Sequence, residues 1–273
     1  MTEDTTNFPP TCAKPDDGVV IRLQGVSKSF GPTAVFEDVC LEIHRGETTV
    51  VIGASGVGKS VLLKIIIGII KPDRGRVFVD GTDITDKSER DLEPIRMQFG
   101  MVFQGAALFD SLTVEENVGF LLYEHSRFPK ARIRQIVAEK LAMVDLSGTE
   151  DLRPEELSGG MKKRVGLARA IAMNPKVILY DEPTTGLDPV TADVINHLII
   201  KTQEELEATS IVVTHDMQSA YKVGDRIVML YHGNIIADAA PEEIRNHTDP
   251  RVQSFIHGEA HLAPHATDQG GVL

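Results

Sequence analysis

The sequence predicts an α/β fold in which buried strands alternate with helices. A short apolar segment at residues 47–52 is followed by a glycine-rich loop and an apolar helix. Two further apolar segments, 177–180 and 210–214, are separated by a long segment with helical character. Fully apolar strands of this length are typical of a sheet that is covered on both faces. Between residues 104 and 174 the pattern changes to helices only, which indicates an insertion into the α/β pattern.

The glycine-rich loop at residues 53–60 reads GASGVGKS and fits G-x-x-x-x-G-K-[ST] at every fixed position. A strand before it and a helix after it distinguish a phosphate-binding loop from an ordinary glycine-rich turn. Its glycines allow backbone N–H groups to surround a polyphosphate, and the helix beginning at Lys59 adds its positive end. We expect Lys59 to reach the β- and γ-phosphates and Ser60 to ligate Mg²⁺. The residues predicted to bind the nucleotide here are Gly53, Ala54, Ser55, Gly56, Val57, Gly58, Lys59, Ser60 and Val61.

Composition argues against several classes of protein. The 273 residues carry 28 Lys+Arg and 40 Asp+Glu, a net charge of −12, so no overall attraction draws the chain to nucleic acid. No signal peptide is apparent, and the longest apolar run, residues 65–70, is far below the ~20 residues that cross a bilayer. Cys12 and Cys40 offer no disulfide framework, which favours a reducing compartment, and we expect Cys40 to be a core residue. These features predict a cytosolic protein.

The remaining elements follow from local patterns. Apolar alternation, turn residues and capping signals predict strands at 19–23, 36–43, 76–79, 99–103, 226–230 and 235–237, turns at 30–32 and 80–81, and helices beginning near Thr113, 133, 162, 190, Pro241 and Pro250. Thr113 and Glu116 have the spacing of a capping box, and Asp249 precedes a proline at the first helical position. The residues at 133, 136, 137, 141 and 144 are apolar at helical spacing and predict one buried face.

Two carboxylates and a histidine follow buried strands. Asp181 and Glu182 come after the strand at 177–180, and His215 follows the strand at 210–214, so all three should meet at the carboxyl edge of the sheet, beside the phosphates. We expect Asp181 to hold Mg²⁺ through its water shell and Glu182 to orient and deprotonate the attacking water. A neutral His215 imidazole could hydrogen-bond the γ-phosphate. The alternative is an ordinary strand end with solvated acids and a structural histidine.

Residues 157–160, Leu-Ser-Gly-Gly, open another helix. Ser158 is placed to cap it, and Gly159 and Gly160 expose its first amides, which makes a second anion-binding helix end. If this helix end and the phosphate loop lie far apart in one chain, the same nucleotide cannot contact both within that chain. A second subunit could then supply one of them. We therefore expect a head-to-tail pair of chains, in which each Ser158 meets the γ-phosphate bound by its partner.

These motifs occur in the order seen in the ATP-binding cassette (ABC) ATPases, which the sequence resembles over residues 19–240. The matched features are the phosphate loop, Gln104, 157–160, Asp181 with Glu182, 186–188 and His215. The resemblance implies a P-loop NTPase core of the ABC ATPase type, with an inserted helical subdomain at about 104–174 and an N-terminal antiparallel β subdomain. The ABC ATPase domain would span 18–257, between a flexible leader at 1–17 and a tail at 258–273.

The resemblance also implies roles for single residues. Phe30 is similar to the aromatic on which adenine stacks, and Gln104 to the residue that touches Mg²⁺ and the attacking water and senses a membrane subunit. Asp188 is similar to the acid of the inter-subunit loop, and His215 to the switch histidine. The implied sets are Glu182, His215 and Gln104 for catalysis, Ser60, Gln104 and Asp181 for Mg²⁺, and Phe30, Ser158, Gly159, Gly160 and Asp188 for ATP in addition to the phosphate loop. The sequence departs from the commonest form at Met161, where the family usually has Gln, and at Phe30, where Tyr is commoner.

Within that family, residues 103–118 and 249–258 look like those of the lipid-asymmetry (Mla) and Mce-associated ATPases. This resemblance implies a homodimer of ATPase subunits that powers phospholipid transport on the cytoplasmic face of the inner membrane. The implied partners are an integral membrane permease, an Mce-domain lipid-binding protein and often a small STAS-domain subunit, with no nucleic acid.

Several alternatives stay open at this point. The chain could serve an ABC importer or exporter of another substrate, or be a soluble ABC protein of DNA repair or translation. A phosphate-loop kinase or GTPase is disfavoured because the N-K-x-D motif is absent and residues 157–160 would be unneeded. The basic run at 162–164 is interpreted as a solvated helix face, with help to the phosphate charge at the dimer seam as its functional alternative. The histidines at 257, 261 and 265 are interpreted as a solvated tail rather than a metal site, because Gly258 and Pro264 would interrupt a helix.

Overall fold

Strand β3 (Thr48–Ile52) lies inside a six-stranded sheet and is buried along its whole length. The fold is known from a computed structural model that describes residues 18–259, so the predicted leader at 1–17 and the tail from residue 260 onward lie outside the described residues. The other strands are β1 (Val19–Phe30), β2 (Thr33–His44), β4 (Arg74–Val79), β5 (Thr82–Asp83), β6 (Phe99–Val102), β7 (Val177–Asp181), β8 (Thr209–Thr214), β9 (Arg226–Tyr231) and β10 (Asn234–Ala239).

The larger sheet has the order β10-β9-β3-β8-β7-β6 and is parallel except where β10 pairs with β9. The smaller sheet has the order β2-β1-β4-β5 and is antiparallel throughout, as predicted for the N-terminal subdomain. Its hairpins turn where the sequence predicted, at Gly31–Pro32 and at Asp80–Gly81. Cys40, expected in the core, is half-buried on β2, where its sulfur accepts a hydrogen bond from the N–H of Gly25.

The α-helices of the described residues begin close to their predicted positions, and two of them were not predicted. They are α1 (Lys59–Ile66), α2 (Glu89–Arg96), α3 (Val114–His125), α4 (Lys130–Met143), α5 (Gly159–Ala170), α6 (Pro189–Leu206), α7 (Met217–Val223), α8 (Pro241–Arg245) and α9 (Pro250–His257). Helix α1 ends at Ile66 because Gly68 takes a left-handed conformation and the N–H groups of Ile69 and Ile70 bond back to Lys64.

The two helices that the sequence reading missed, α2 and α7, lack an apolar repeat of useful length. Helix α2 has one fully buried side chain, Leu92, and carries Pro94 in its last turn. The capping signals of α2 and α7 are present, since Ser88 and Asp216 each accept hydrogen bonds from the first turn. Short helices of this kind are set by their caps and by tertiary packing rather than by hydrophobic period.

Alternate residues of the parallel strands pack into two separate cores. Val50 and Ile178 face the core that contains α3, α4, α5 and α6, whereas Val51 and Leu179 face the core shared with α1 and the antiparallel sheet. This period of two explains why the strands read as continuous apolar runs, because both faces are covered. The helical subdomain packs on the first core through the predicted apolar positions of α4.

In the part of the chain that the structure covers, no helix combines the length and apolar character required to span a bilayer.

Candidate nucleotide site

The glycine-rich loop is wedged between the two sheets. Gly58, which precedes α1, has φ 109°, and a Cβ on it would lie 2.5 Å from Val35 Cγ1 of β2. Gly53 has φ 154°, and a Cβ there would lie 2.5 Å from the carbonyl oxygen of Leu230 on β9. Both positions therefore require glycine, for conformation and for space. The loop is therefore held between β2 on one side and β9 on the other.

Lys59 is almost fully buried and is directed back over the loop. Its ammonium donates hydrogen bonds to the carbonyl oxygens of Gly53 at 2.8 Å and Ala54 at 3.2 Å, and lies 3.2 Å from Glu182 Oε1. The three protons of an ammonium are thus directed at three acceptors, two of them in the loop itself. Lys59 therefore stands between the phosphate loop and the acid that follows β7.

Glu182 is oriented by its own backbone and by three side chains. It follows the last residue of β7 with a left-handed φ of 49°, and its N–H bonds to the carbonyl of Val213 at 2.9 Å. Its carboxylate meets Lys59, His215 Nδ1 at 2.9 Å and Thr185 Oγ1 at 3.0 Å. Burial alone would raise the pKa of Glu182, but the His215 hydrogen bond, the Lys59 charge and the Thr185 hydroxyl hold it below its usual value. The side chain is therefore an ionised base at neutral pH.

Ser60 and Asp181 form an oxygen-only pair beside Lys59. Ser60 Oγ donates to Asp181 Oδ1 at 2.7 Å, which connects the first turn of α1 to the end of β7. Hydroxyl and carboxylate oxygens are the ligands that Mg²⁺ prefers, so the residues fit that ion. Among the described residues, no group of three or more His, Cys, Asp or Glu is arranged as a metal centre, so a bound ion would need further oxygens from phosphate or water.

One cavity of about 470 Å³ brings predicted residues of the phosphate loop together with Gln104, Glu182 and His215. Its walls are formed by Ser55, Gly56, Gly58, Lys59, Ser60, Val61, Gln104, Thr185, Glu182 and His215. Gln104, which lies just after β6, thus faces the same space as Glu182 although the two residues are far apart in the sequence. The other predicted residues do not line this cavity in the part of the chain described: Phe30, Gly53, Ala54, Val57, Ser158, Gly159, Gly160, Asp181 and Asp188.

The hydrogen bond of His215 limits what its ring can do. A carboxylate only accepts, so Nδ1–H donates to Glu182 Oε2. The neutral ring then has a lone pair at Nε2 and no second N–H. Donation to a phosphate therefore requires the imidazolium form rather than the neutral imidazole that we expected from the sequence.

The second predicted anion site lies at the start of α5. Ser158 Oγ accepts from the N–H of Met161 at 3.3 Å, so it caps the helix as predicted. Gly160 is packed against α6, where a Cβ would lie 2.6 Å from Thr191 Cγ2. Thr191 in turn donates to Asp188, which caps α6. Asp188 is thereby connected to the start of α5 rather than to the phosphate loop of its own chain.

Phe30 lies at the tip of the β1–β2 hairpin with about half of its surface exposed. Lys28 Nζ lies 5.4 Å from the centre of its ring, within the range of a cation–π contact. The ring face is therefore presented at the surface of the antiparallel sheet.

Two residues of the site, Thr185 and Lys163, were not predicted from the sequence. Thr185, which bonds to Glu182, follows the acid by three residues with no pattern to mark it. Lys163 was interpreted as part of a solvated basic face, and this is wrong. The residue is 7% exposed, and its ammonium donates to backbone carbonyl oxygens between Glu182 and Thr185. A usable signal existed: Lys163 precedes Gly166, Leu167 and Ala170 by three, four and seven residues, the spacing of one buried helix face.

An apolar groove adjoins the cavity on the side of Gln104. It has a volume of about 510 Å³ and lies where β6 meets the helical subdomain. Phe103 and Phe109 are 39% and 45% exposed there, and Phe109 stacks with Phe120 at 4.8 Å between ring centres. Since Phe103 and Gln104 are consecutive, the groove and the nucleotide cavity share a segment of backbone.

Comparison with known proteins gives consistent matches. A family model described as ABC transporter matches residues 36–185. The probable ribonucleotide transport ATP-binding protein mkl of Mycobacterium tuberculosis is 44% identical over 241 residues, covering 88% of this chain and 67% of that protein. The intermembrane phospholipid transport system ATP-binding protein MlaF of Haemophilus influenzae is 39% identical over 241 residues, covering 88% of this chain and 91% of that protein. A solved dimeric, post-hydrolysis state of an ATP-binding cassette bound to ADP and Pi has a TM-score of 0.75 at 36% identity, covering 81% of this chain and 98% of that one.

Proposed function

Since the chain belongs to the ABC transporter family and is its ATP-hydrolysing subunit, we propose that it powers the movement of phospholipid through a membrane permease. Phospholipid is proposed as the cargo because the chain is similar to MlaF, of which it covers 91%. The similarity to mkl, a probable ribonucleotide transport ATP-binding protein, supports a second candidate cargo, a ribonucleotide.

ATP binding is assigned first to the phosphate loop. The amides of residues 53–60 and the ammonium of Lys59 would hold the β- and γ-phosphates, with Phe30 beneath the adenine. Ser60, Asp181 and Gln104 would hold Mg²⁺, which neutralises charge on the phosphate oxygens when bound. The oxygen-only pair of Ser60 and Asp181 supports that assignment.

Hydrolysis is assigned to Glu182 as the general base. Its carboxylate is ionised and oriented by His215 and Thr185, and it faces the cavity that Gln104 also lines. A base in this position can take a proton from water aligned with the γ-phosphate. The water would be positioned by Gln104, and His215 in its imidazolium form would donate to the phosphate.

The site is completed by a second copy of the chain. Ser158, Gly159, Gly160 and Asp188 do not line the phosphate-loop cavity of their own chain, yet the start of α5 is a capped helix end able to bind an anion. A head-to-tail homodimer gives each of these helix ends a γ-phosphate. The dimeric state of the solved cassette supports the arrangement.

The membrane partner is assigned to the apolar groove. A permease segment that docked between Phe103 and Phe109 would lie next to Gln104, so movement at the nucleotide could reach it directly. An Mce-domain lipid-binding protein and a small STAS-domain subunit would complete the assembly. The chain would then be peripheral on the cytoplasmic face of the inner membrane.

The test is purification of the tagged chain from its own membranes in mild detergent. We expect a permease and bound phospholipid to co-purify, and vesicles containing the complex to transfer labelled phospholipid in an ATP-dependent way that Glu182→Gln abolishes. Uptake of a labelled ribonucleotide without lipid transfer would favour the second candidate. Recovery with no integral membrane protein would contradict both.

A further inference from the structure

Lys163 lies on one element of the site and bonds to another. It is in the second turn of α5, five residues after Ser158, whose helix end is proposed to serve the nucleotide of the partner. Its ammonium donates to the carbonyl oxygens of Glu182 at 3.4 Å, Pro183 at 2.9 Å and Thr185 at 3.0 Å, all in its own chain. Every proton of the ammonium is therefore used within one turn of backbone.

The turn at residues 182–185 sets the direction of the Glu182 side chain. The backbone of Glu182 is left-handed there, a strained conformation that persists only where the surroundings enforce it. Thr185, at the other end of the turn, bonds to the Glu182 carboxylate. Lys163 clamps both ends at once, so the direction of the Glu182 side chain depends on it.

Resting on the proposed function, we propose that Lys163 is a positioning residue that holds Glu182 and Thr185 of its own chain in hydrolytic geometry. It would thereby connect the helix that senses one nucleotide of the dimer to the base that acts on the other. It has no part in neutralising phosphate charge at the dimer seam, because its protons are directed inward, away from the exposed helix end.

The first experiment compares Lys163→Met with Lys140→Met. Both lysines are 7% exposed, but Lys140 bonds to Asn174 in the helical subdomain and does not touch the Glu182 turn. We expect Lys163→Met to lower kcat by about 10²-fold with little change in KM, since a small misplacement of a catalytic group costs that much. Lys140→Met should lower the melting temperature with kcat unchanged per folded site. Lys163→Gln, which keeps N–H donors without charge, should recover most of the rate.

The decisive experiment uses two heterodimers made from differently tagged full-length chains. In the first, Lys163→Met is in the chain with intact Glu182, and Glu182→Gln is in its partner. In the second, both changes are in one chain and the partner is wild type. The composition is the same, so any loss of stability is matched, and each dimer has one intact base.

We expect the first heterodimer to be about 10²-fold slower than the second. Equal rates would overturn the proposal, and a slower second heterodimer would mean that Lys163 acts on the phosphate bound by the partner. Normal hydrolysis by the Glu182→Gln homodimer would instead contradict the proposed function, so the two failures are distinguishable.

Discussion

Glu182 combines burial, charge and a strained backbone in one residue. Its left-handed φ, its burial and its contacts with Lys59, His215 and Thr185 hold an ionised carboxylate in the cavity that the phosphate loop and Gln104 line. None of these contacts stabilises a neutral side chain as well, so they favour the charged base.

Replacing Glu182 by Gln should separate ATP binding from hydrolysis. The amide keeps the size of the side chain but cannot accept a proton, so we expect hydrolysis to fall by at least about 10²-fold while ATP is still bound. The ATP-bound dimer should then accumulate and elute earlier in size-exclusion chromatography. Lys59→Ala, which removes the proposed phosphate contact, serves as the comparison and should neither bind ATP in calorimetry nor dimerise.

The pH dependence should follow the environment of Glu182. The pKa of Glu182 is lowered, so its carboxylate is ionised above that value, and the contribution of the base is lost as pH falls through it. His215→Ala removes the largest contact that lowers this pKa and leaves burial, which raises it. We therefore expect the acid limb of kcat/KM to move to higher pH, in addition to a lower maximum.

The pH profile has an internal control in Thr185→Val. The Thr185 hydroxyl contributes less to the lowered pKa than His215 does, so the same limb should move less. An acid limb at the wild-type pH in His215→Ala would show that the limb does not report Glu182.

At the scale of elements, the helical subdomain depends on how its first helix begins. Thr113 accepts from the N–H of Glu116 at 3.2 Å, and the Glu116 carboxylate accepts from the N–H of Thr113 at 2.9 Å. Thr113→Ala breaks this capping box and should cost about 1 kcal/mol, or a melting temperature lower by about 2–4 °C. Thr113→Ser retains the hydroxyl and should melt like wild type in calorimetry. An unchanged melting temperature for the alanine variant would mean that the subdomain unfolds independently of this cap.

The sequence predicted those elements whose signals are local. The phosphate loop, the capping box and the carboxyl-edge acids all follow from spacing and strand context, and the structure has them in those positions. Helices α2 and α7 were not predicted, because no apolar repeat follows their capping residues. The burial of Lys163 could have been predicted from its place on the buried face of α5, but its partners could not, because they are backbone carbonyls about twenty residues away.

At the scale of the molecule, we expect the apolar groove beside Gln104 to determine whether the ATPase binds to its membrane partner. Phe109→Glu puts a charge into the groove and should abolish recovery with membranes, while ATP binding persists because the nucleotide cavity is untouched. Phe128→Glu is the matched control, since Phe128 is 52% exposed just before α4 and does not line the groove. Membrane recovery can be measured by flotation of lysate on a density gradient. Equal flotation of both variants would place the docking surface elsewhere.

The contact between Gly58 and Val35 extends the constraints of the phosphate loop beyond its own motif. Val35 Cγ1 already occupies the space where a Cβ on residue 58 would lie, and Phe36 is close behind it. A bulkier side chain at 35 would press on the turn that opens α1. Natural variation at position 35 should therefore be restricted in volume across homologous chains. An insertion in the β1–β2 hairpin that shifted its register should be selected against for the same reason as a change in the phosphate loop.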